Sequence, residues 1–221
     1  MIKVILCDDH ALIRRGIRDT LADAADIEVV GEAGDYGELR SLMRGLASNQ
    51  GSTHGIGCDV LVLDINLPGR SGLDVIHVLK DEGSPVKVLV VSMYPEDQYA
   101  IRSLRAGAYG YVNKGGDPQL IVQAVRTVAQ GRKYVTPEIA QMLVESLTTT
   151  VPEHAHDKLS DRELQTLVMI ASGKRLSDIA EQLTLSPKTV SVYRARVLEK
   201  LQLANNAELM VYAIRNGLVE Q

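Results

Sequence analysis

Asp8 and Asp9 follow the apolar run Ile2–Cys7, and Asp64 closes the run Val60–Asp64. Ser92 closes Val86–Ser92, and Lys114 follows Gly110–Asn113. Three carboxylates gathered in one place repel one another unless a cation sits among them. Hard oxygen donors suit Mg²⁺, which keeps waters that a phosphate oxygen can replace. A carboxylate beside such an ion can attack a phosphoryl donor and become an acyl phosphate. The three phosphoryl oxygens then need charge neutralisation and donors. Lys114, the Ser92 hydroxyl and backbone N–H groups after Asp64 are suited to that work. Taken singly, these residues have plainer readings: Asp8 or Asp9 as a helix N-cap, Lys114 as a solvated loop lysine, Ser92 as a strand terminus.

What gathers these residues is an alternation of strands and helices. Ile2–Cys7, Ile27–Ala33, Val60–Asp64, Val86–Ser92 and Gly110–Asn113 read as strands. Helical patterns fall over Ala11–Ala25, Tyr36–Ala47, Gly72–Glu82, Glu96–Ala106 and Asp117–Gln130. In the first of them Ile13, Ile17 and Leu21 recur every four residues, giving one apolar face. Five β–α units predict an α/β fold, a doubly wound five-stranded parallel sheet covered on both faces. In such sheets ligands collect beyond the carboxyl ends of the strands, where the five polar residues stand.

Residues 49–57 are polar and Gly-rich and read as a long, mobile loop. Pro137–Leu147 reads as a connector helix and Thr148–Asp157 as an exposed linker, with His154 and His156 solvated. Beyond it the pattern is purely helical. Ser160-Asp161-Arg162-Glu163 fits a capping box, and Ser186-Pro187 fits a helix start with proline at the first position. Helices are expected near 161–172, 177–183, 187–201 and 206–216. The domain limits that follow are 1–130, a linker over 131–157, and a second, all-α domain over 158–221.

Composition narrows the classes. The 221 residues are 45% hydrophobic and 24% charged, ordinary for a globular protein. No apolar stretch approaches the roughly 18 residues a membrane span needs, and no secretory signal is apparent, so a cytoplasmic protein is expected. In that setting Cys7 and Cys58 read as reduced packing residues. Trp and Phe are absent, which disfavours stacking of single-stranded bases. The net charge of −4 is unevenly spread: residues 158–221 carry nine Lys/Arg against seven Asp/Glu, the remainder fifteen against twenty-one.

The acidic pair, the run Asp64-Ile65-Asn66-Leu67-Pro68-Gly69, Ser92 and Lys114 match, in order, the receiver domain of two-component response regulators, which the first 130 residues resemble. The resemblance implies a flavodoxin-like fold with Asp64 as phosphoacceptor. It implies Mg²⁺ held by Asp8, Asp9, Asp64 and the backbone carbonyl of Asn66, with Asp9 the more direct ligand of the acidic pair. Tyr111 resembles the aromatic whose rotation couples to Ser92, and Met93 and Tyr94 would share its responsive surface. His10 is read as a surface histidine at a helix start. Gly115-Gly116 after the lysine departs from the family pattern and predicts a looser loop around the ammonium.

Leu176–Leu201 looks like a helix-turn-helix. Val190, Tyr193, Val197 and Leu201 recur at three- and four-residue steps and are expected to face the core. Lys188, Ser191, Val192 and Ala195 then face a major groove. Thr189, Tyr193, Arg194, Arg196 and Lys200 suit phosphate contacts. A basic helix is by itself often only a solvated face. However, Leu159–Glu163, Asp178-Ile179-Ala180, Ser186–Val190 and Lys200-Leu201 resemble the LuxR-type DNA-binding domain. Arg175 stands near where that family places a Ser or Thr cap, so the first helix of the motif is expected to start at Ser177.

A receiver followed by this tail resembles the NarL/FixJ regulators. That implies a transcriptional regulator rather than an enzyme, with a sensor histidine kinase as phosphodonor, double-stranded promoter DNA as target, and a homodimer when active. The last helix, around Val211, would supply a dimer contact, and phosphorylation would draw Ser92 and Tyr111 inward. An aspartyl-phosphate phosphatase would need an acid two residues beyond the nucleophile, and Asn66 stands there. A DNA-binding protein with an unphosphorylated receiver scaffold is the other alternative.

Overall fold

The apolar run Val60–Leu63 forms the central strand, and its four side chains are no more than 3% exposed. Burying each contributes about 1.5–3 kcal/mol relative to exposure. The computed structural model describes residues 1–49, 57–94, 96–148 and 155–219. The chain folds into two compact units, Met1–Val144 and Glu145–Gln221.

The first unit holds β1 (Ile2–Cys7), α1 (Ala11–Ala22), β2 (Ile27–Ala33), α2 (Tyr36–Asn49), β3 (Val60–Leu63), α3 (Gly72–Asp81), β4 (Lys87–Ser92), α4 (Glu96–Ala106), β5 (Gly110–Asn113) and α5 (Pro118–Ala129). All strand pairs are parallel, in the order β2-β1-β3-β4-β5. The expected elements are all present, with ends that differ by at most three residues. Asp64 lies just past β3 instead of closing it. The loop expected over 49–57 lies outside the described residues except at its ends.

Register explains the convergence of the polar residues. Cys7 pairs with Leu63, so Asp8 and Asp64 leave the sheet at one level, and the Asp64 N–H donates to the Cys7 carbonyl at 2.9 Å. Ser92 pairs with Asn113, and the Lys114 N–H donates to the Ser92 carbonyl at 2.9 Å. Gly72 starts α3 directly beneath Asp64. A Cβ there would lie 2.2 Å from the Asp64 carbonyl oxygen, so only glycine allows the approach.

The segment after α5 is strapped to the sheet edge. Tyr134 forms a parallel bridge to Gly110, whose missing Cβ leaves room for it, and the Tyr134 N–H donates to the Tyr109 carbonyl at 2.8 Å. Thr136 then starts α6 (Pro137–Thr148). Its hydroxyl accepts from the Ile139 N–H at 3.3 Å and donates to the Glu96 carboxylate at 3.1 Å.

The second unit contains a short 3-10 turn, Ala155–Lys158, then α7 (Asp161–Ala171), α8 (Leu176–Gln182), α9 (Pro187–Leu201) and α10 (Asn206–Arg215). The expected capping box is formed: Ser160 accepts from the Glu163 N–H and Glu163 accepts from the Ser160 N–H. Two expectations are corrected. His156 is only 8% exposed, not solvated, and its Nδ1 lies 2.9 Å from the Tyr212 hydroxyl on α10. His154 lies outside the described residues. The first helix of the motif starts at Leu176, not Ser177, because the Ser177 hydroxyl turns to Asp178 at 3.0 Å and Arg175 caps without a side-chain hydrogen bond.

Candidate functional site

Three strand ends deliver Asp8, Asp64 and Lys114 to one buried point. The Lys114 Nζ lies 2.7 Å from Asp64 Oδ2 and 2.7 Å from Asp8 Oδ2, and the three side chains are 3–5% exposed. Asp8 Oδ1 accepts from the His10 N–H at 2.8 Å, which ties the acid to the start of α1. Asp9 is more open, and its Oδ1 lies 2.7 Å from His10 Nδ1. Asp8, Asp9, His10 and Asp64 each offer a ligand atom within 4.8 Å of the others. Sequence reasoning sets His10 aside as a surface residue. Its side chain is half exposed, but its position beside Asp9 brings it into the acid cluster.

Burial raises the Asp64 carboxyl above its ordinary range. Lys114 opposes this and the negative charge of Asp8 adds to it. Burial would lower the Lys114 ammonium, but Asp64 and Asp8 together hold it above its usual value. One cation among three acids leaves the pocket short of positive charge. Asp64 Oδ1 is buried with no hydrogen-bond partner among the described residues. The donors are hard oxygens, so the residues present fit a divalent cation such as Mg²⁺.

The loop after β5 is firmer than Gly115-Gly116 suggests. Asn113 accepts from the Gly115 N–H through its side chain at 2.7 Å and from the Gly116 N–H through its carbonyl at 3.2 Å. Ser92 is 1% exposed, and its hydroxyl accepts from the Tyr94 N–H at 3.4 Å. Tyr111 is fully buried and donates to the Tyr94 carbonyl at 2.7 Å, so its ring already occupies the inward position. An inward swing of Tyr111 on phosphorylation is therefore not available from this conformation. Burial pushes its phenol up, partly opposed by the Ser92 hydroxyl beside it. Met93 is exposed, while Tyr94 is half-buried with its ring stacked 4.5 Å from that of Tyr99. Asn66, two residues beyond Asp64, is half-buried.

In the second unit, Ser186 caps α9 by accepting from the Thr189 N–H at 3.1 Å. Val190, Val197 and Leu201 are buried and Tyr193 is half-buried. Lys188, Ser191, Val192, Ala195 and Arg196 are exposed together on the opposite side. Three of the expected phosphate-contacting residues are engaged inside the domain. The Thr189 hydroxyl lies 2.8 Å from that of Ser186, and Arg194 Nε donates to Asn206 at 2.6 Å. The Lys200 ammonium lies 2.6 Å from the buried Glu163 carboxylate, so its charge is held within the domain.

A sheet-end acid cluster joined in one chain to a helix-turn-helix defines a class of phosphorylation-responsive DNA-binding regulators. Residues 4–126 match the response regulator receiver domain, and residues 157–213 match the luxR family of bacterial regulatory proteins. The response regulator GacA of Pseudomonas aeruginosa is 38% identical over 221 residues, 100% of this chain and 99% of that protein. The response regulator UvrY of Escherichia coli K12 is 38% identical over 219 residues, covering 99% and 96%. Among solved structures, the response regulator ChrA of a heme-sensing two-component system shares 30% identity over 99% of this chain and 98% of its own, with a TM-score of 0.50. The response regulator RcsB, solved in complex with DNA, shares 26% identity over 96% of each chain, with a TM-score of 0.55. The chain belongs to the two-component response regulators, in the NarL/FixJ arrangement of a receiver and a LuxR-type DNA-binding domain. It is therefore a phosphorylation-dependent transcriptional regulator of a two-component system, not an enzyme. No helix among the described residues is long and apolar enough to cross a membrane.

Proposed function

We propose that Asp64 accepts a phosphoryl group from a sensor histidine kinase and that this controls binding of α9 to promoter DNA. The observation that carries the reading is the placement of Asp64 and Asp8 around the Lys114 ammonium, with one buried Asp64 oxygen left without a partner among the described residues. An Asp64 carboxylate oxygen attacks the phosphorus of the donor phosphohistidine. The P–N bond breaks, the aspartyl phosphate forms, and the donor imidazole leaves with a proton from solvent. Lys114 opposes protonation of Asp64 before attack and neutralises a phosphoryl oxygen after it, and Ser92 donates its hydroxyl to another. Asp8, Asp9, Asp64 and the Asn66 backbone carbonyl would hold Mg²⁺. The ion supplies Lewis-acid neutralisation of the charge on the phosphoryl group.

Because Tyr111 already lies inward, the response is assigned to the Ser92–Tyr94 backbone around which Tyr111 and Asn113 close. Residues 1–130 act as receiver, 131–157 as linker and 158–221 as DNA-binding domain. Lys188, Ser191, Val192 and Ala195 read base edges, and Thr189, Tyr193, Arg194 and Arg196 meet phosphates. Lys200 instead keeps Glu163 neutralised. The active form is a cytoplasmic homodimer on paired half-sites, with Val211 of α10, 47% exposed, at the contact. Incubation with labelled acetyl phosphate and a divalent cation tests the acceptor. Label is expected on wild type and absent from Asp64→Asn; equal labelling of both would place the acceptor elsewhere.

A further inference from the structure

We propose that Arg14 is a positioning residue for the cation site, fixing the Asp8–Asp9 peptide so that both carboxylates can face one ion. The inference rests on the reading of the acid cluster given above. Arg14 stands one turn into α1, and its guanidinium donates through Nη1 to the Asp8 carbonyl oxygen at 2.5 Å and through Nε to Glu32 Oε2 at 3.1 Å. That carbonyl belongs to the peptide joining Asp8 to Asp9. Its orientation sets the direction in which the Asp9 side chain leaves the backbone.

The other contacts of the turn show why one more restraint matters. Asp8 is already held through Oδ1 by the His10 N–H at 2.8 Å and through Oδ2 by Lys114 at 2.7 Å. The peptide plane between the acids has Arg14 as its side-chain restraint. Glu32, on β2, orients the guanidinium and is shared with Arg18 at 3.1 Å. A planar fork serves two acceptors in fixed geometry, which a lysine ammonium cannot reproduce. Glu32 also offsets part of the Arg14 charge, so the fork supplies N–H groups with less added positive charge where a cation must bind. Groups that orient metal ligands in this way typically change metal affinity about 10–100-fold when removed.

The test uses full-length protein without any phosphodonor, titrated with Mn²⁺ and read by electron paramagnetic resonance of the free ion. Thermal unfolding in chelator is measured alongside. Arg14→Gln and Arg14→Lys are each expected to weaken Mn²⁺ binding about tenfold. Glu32→Gln keeps an acceptor for Nε but leaves the guanidinium charge uncompensated, and should weaken binding less, with a stronger dependence on salt. Wild-type Mn²⁺ affinity in Arg14→Lys would overturn the proposal, because charge alone would then suffice. Wild-type affinity with a lowered melting temperature would also overturn it, leaving Arg14 a purely structural residue. If Arg14→Gln does not fold, Arg14→Lys and Glu32→Gln decide the matter. Asp9→Asn separates the two levels: if it binds Mn²⁺ like wild type, the cluster reading fails, and if it alone loses binding, only the role of Arg14 fails.

Discussion

Glu163 and Lys200 show how single residues acquire roles that neighbouring sequence does not announce. Burial alone would raise the Glu163 carboxyl, but the Lys200 hydrogen bond and those from Ser160 hold it below its ordinary value. A carboxyl depressed in the folded state adds stability above its unfolded pKa, near 4.5. That contribution is lost as pH falls through the lower, folded value. Calorimetry of the full chain should find Lys200→Gln destabilised by about 1 kcal/mol at pH 7, allowing for the half-exposed ammonium, with the gap to wild type closing as the pH falls through the lowered, folded value. A gap independent of pH would assign the effect to packing of the lysine stem. At the same scale, the rotamer of Tyr111 and the pairing of His156 with Tyr212 are not legible in the sequence. Each depends on atoms supplied by distant segments. The five polar residues at strand ends are legible because strand period and residue type alone place them.

Elements are legible where apolar spacing is strong and blurred where a local hydrogen bond chooses the boundary. Ile17 and Leu21 bury the face of α1 that their spacing predicts, and Val60–Leu63 is buried throughout. The start of α8 differs by one residue from its expected place because Ser177 bonds to Asp178 instead of capping. Residues 131–136 read as linker, yet the Tyr134–Gly110 bridge ties them to β5, a long-range contact that no local pattern encodes. The close approach of α3 to β3 gives a prediction at this scale. Gly72→Ala drives a Cβ into the Asp64 carbonyl and should cost about 1–3 kcal/mol in urea unfolding, since crowded backbone must move. Labelling of Asp64 should fall with it. Unchanged stability would mean that the α3 start shifts freely.

Across the whole molecule, the acid cluster and the exposed face of α9 belong to separate compact units in one chain, which is what a switch with a separate output requires. Lys188 and Arg196 are both exposed but are assigned different work. Lys188→Ala should reduce discrimination between cognate and random duplexes, with about 1–3 kcal/mol lost on the cognate site. Arg196→Ala should weaken both alike and flatten the salt dependence. Competition binding at several salt concentrations separates them; equal losses on both duplexes for Lys188→Ala would remove it from base reading. The central claim joins the two units: phosphoryl transfer to Asp64 sets the affinity of the helical domain for DNA. Its most direct test is the dissociation constant for a cognate duplex at fixed salt, with and without acetyl phosphate and Mg²⁺, for wild type and Asp64→Asn. The account predicts that phosphodonor shifts the wild-type constant and leaves that of Asp64→Asn unmoved. The same constant for wild type in both conditions, or the same shift in Asp64→Asn, would contradict it.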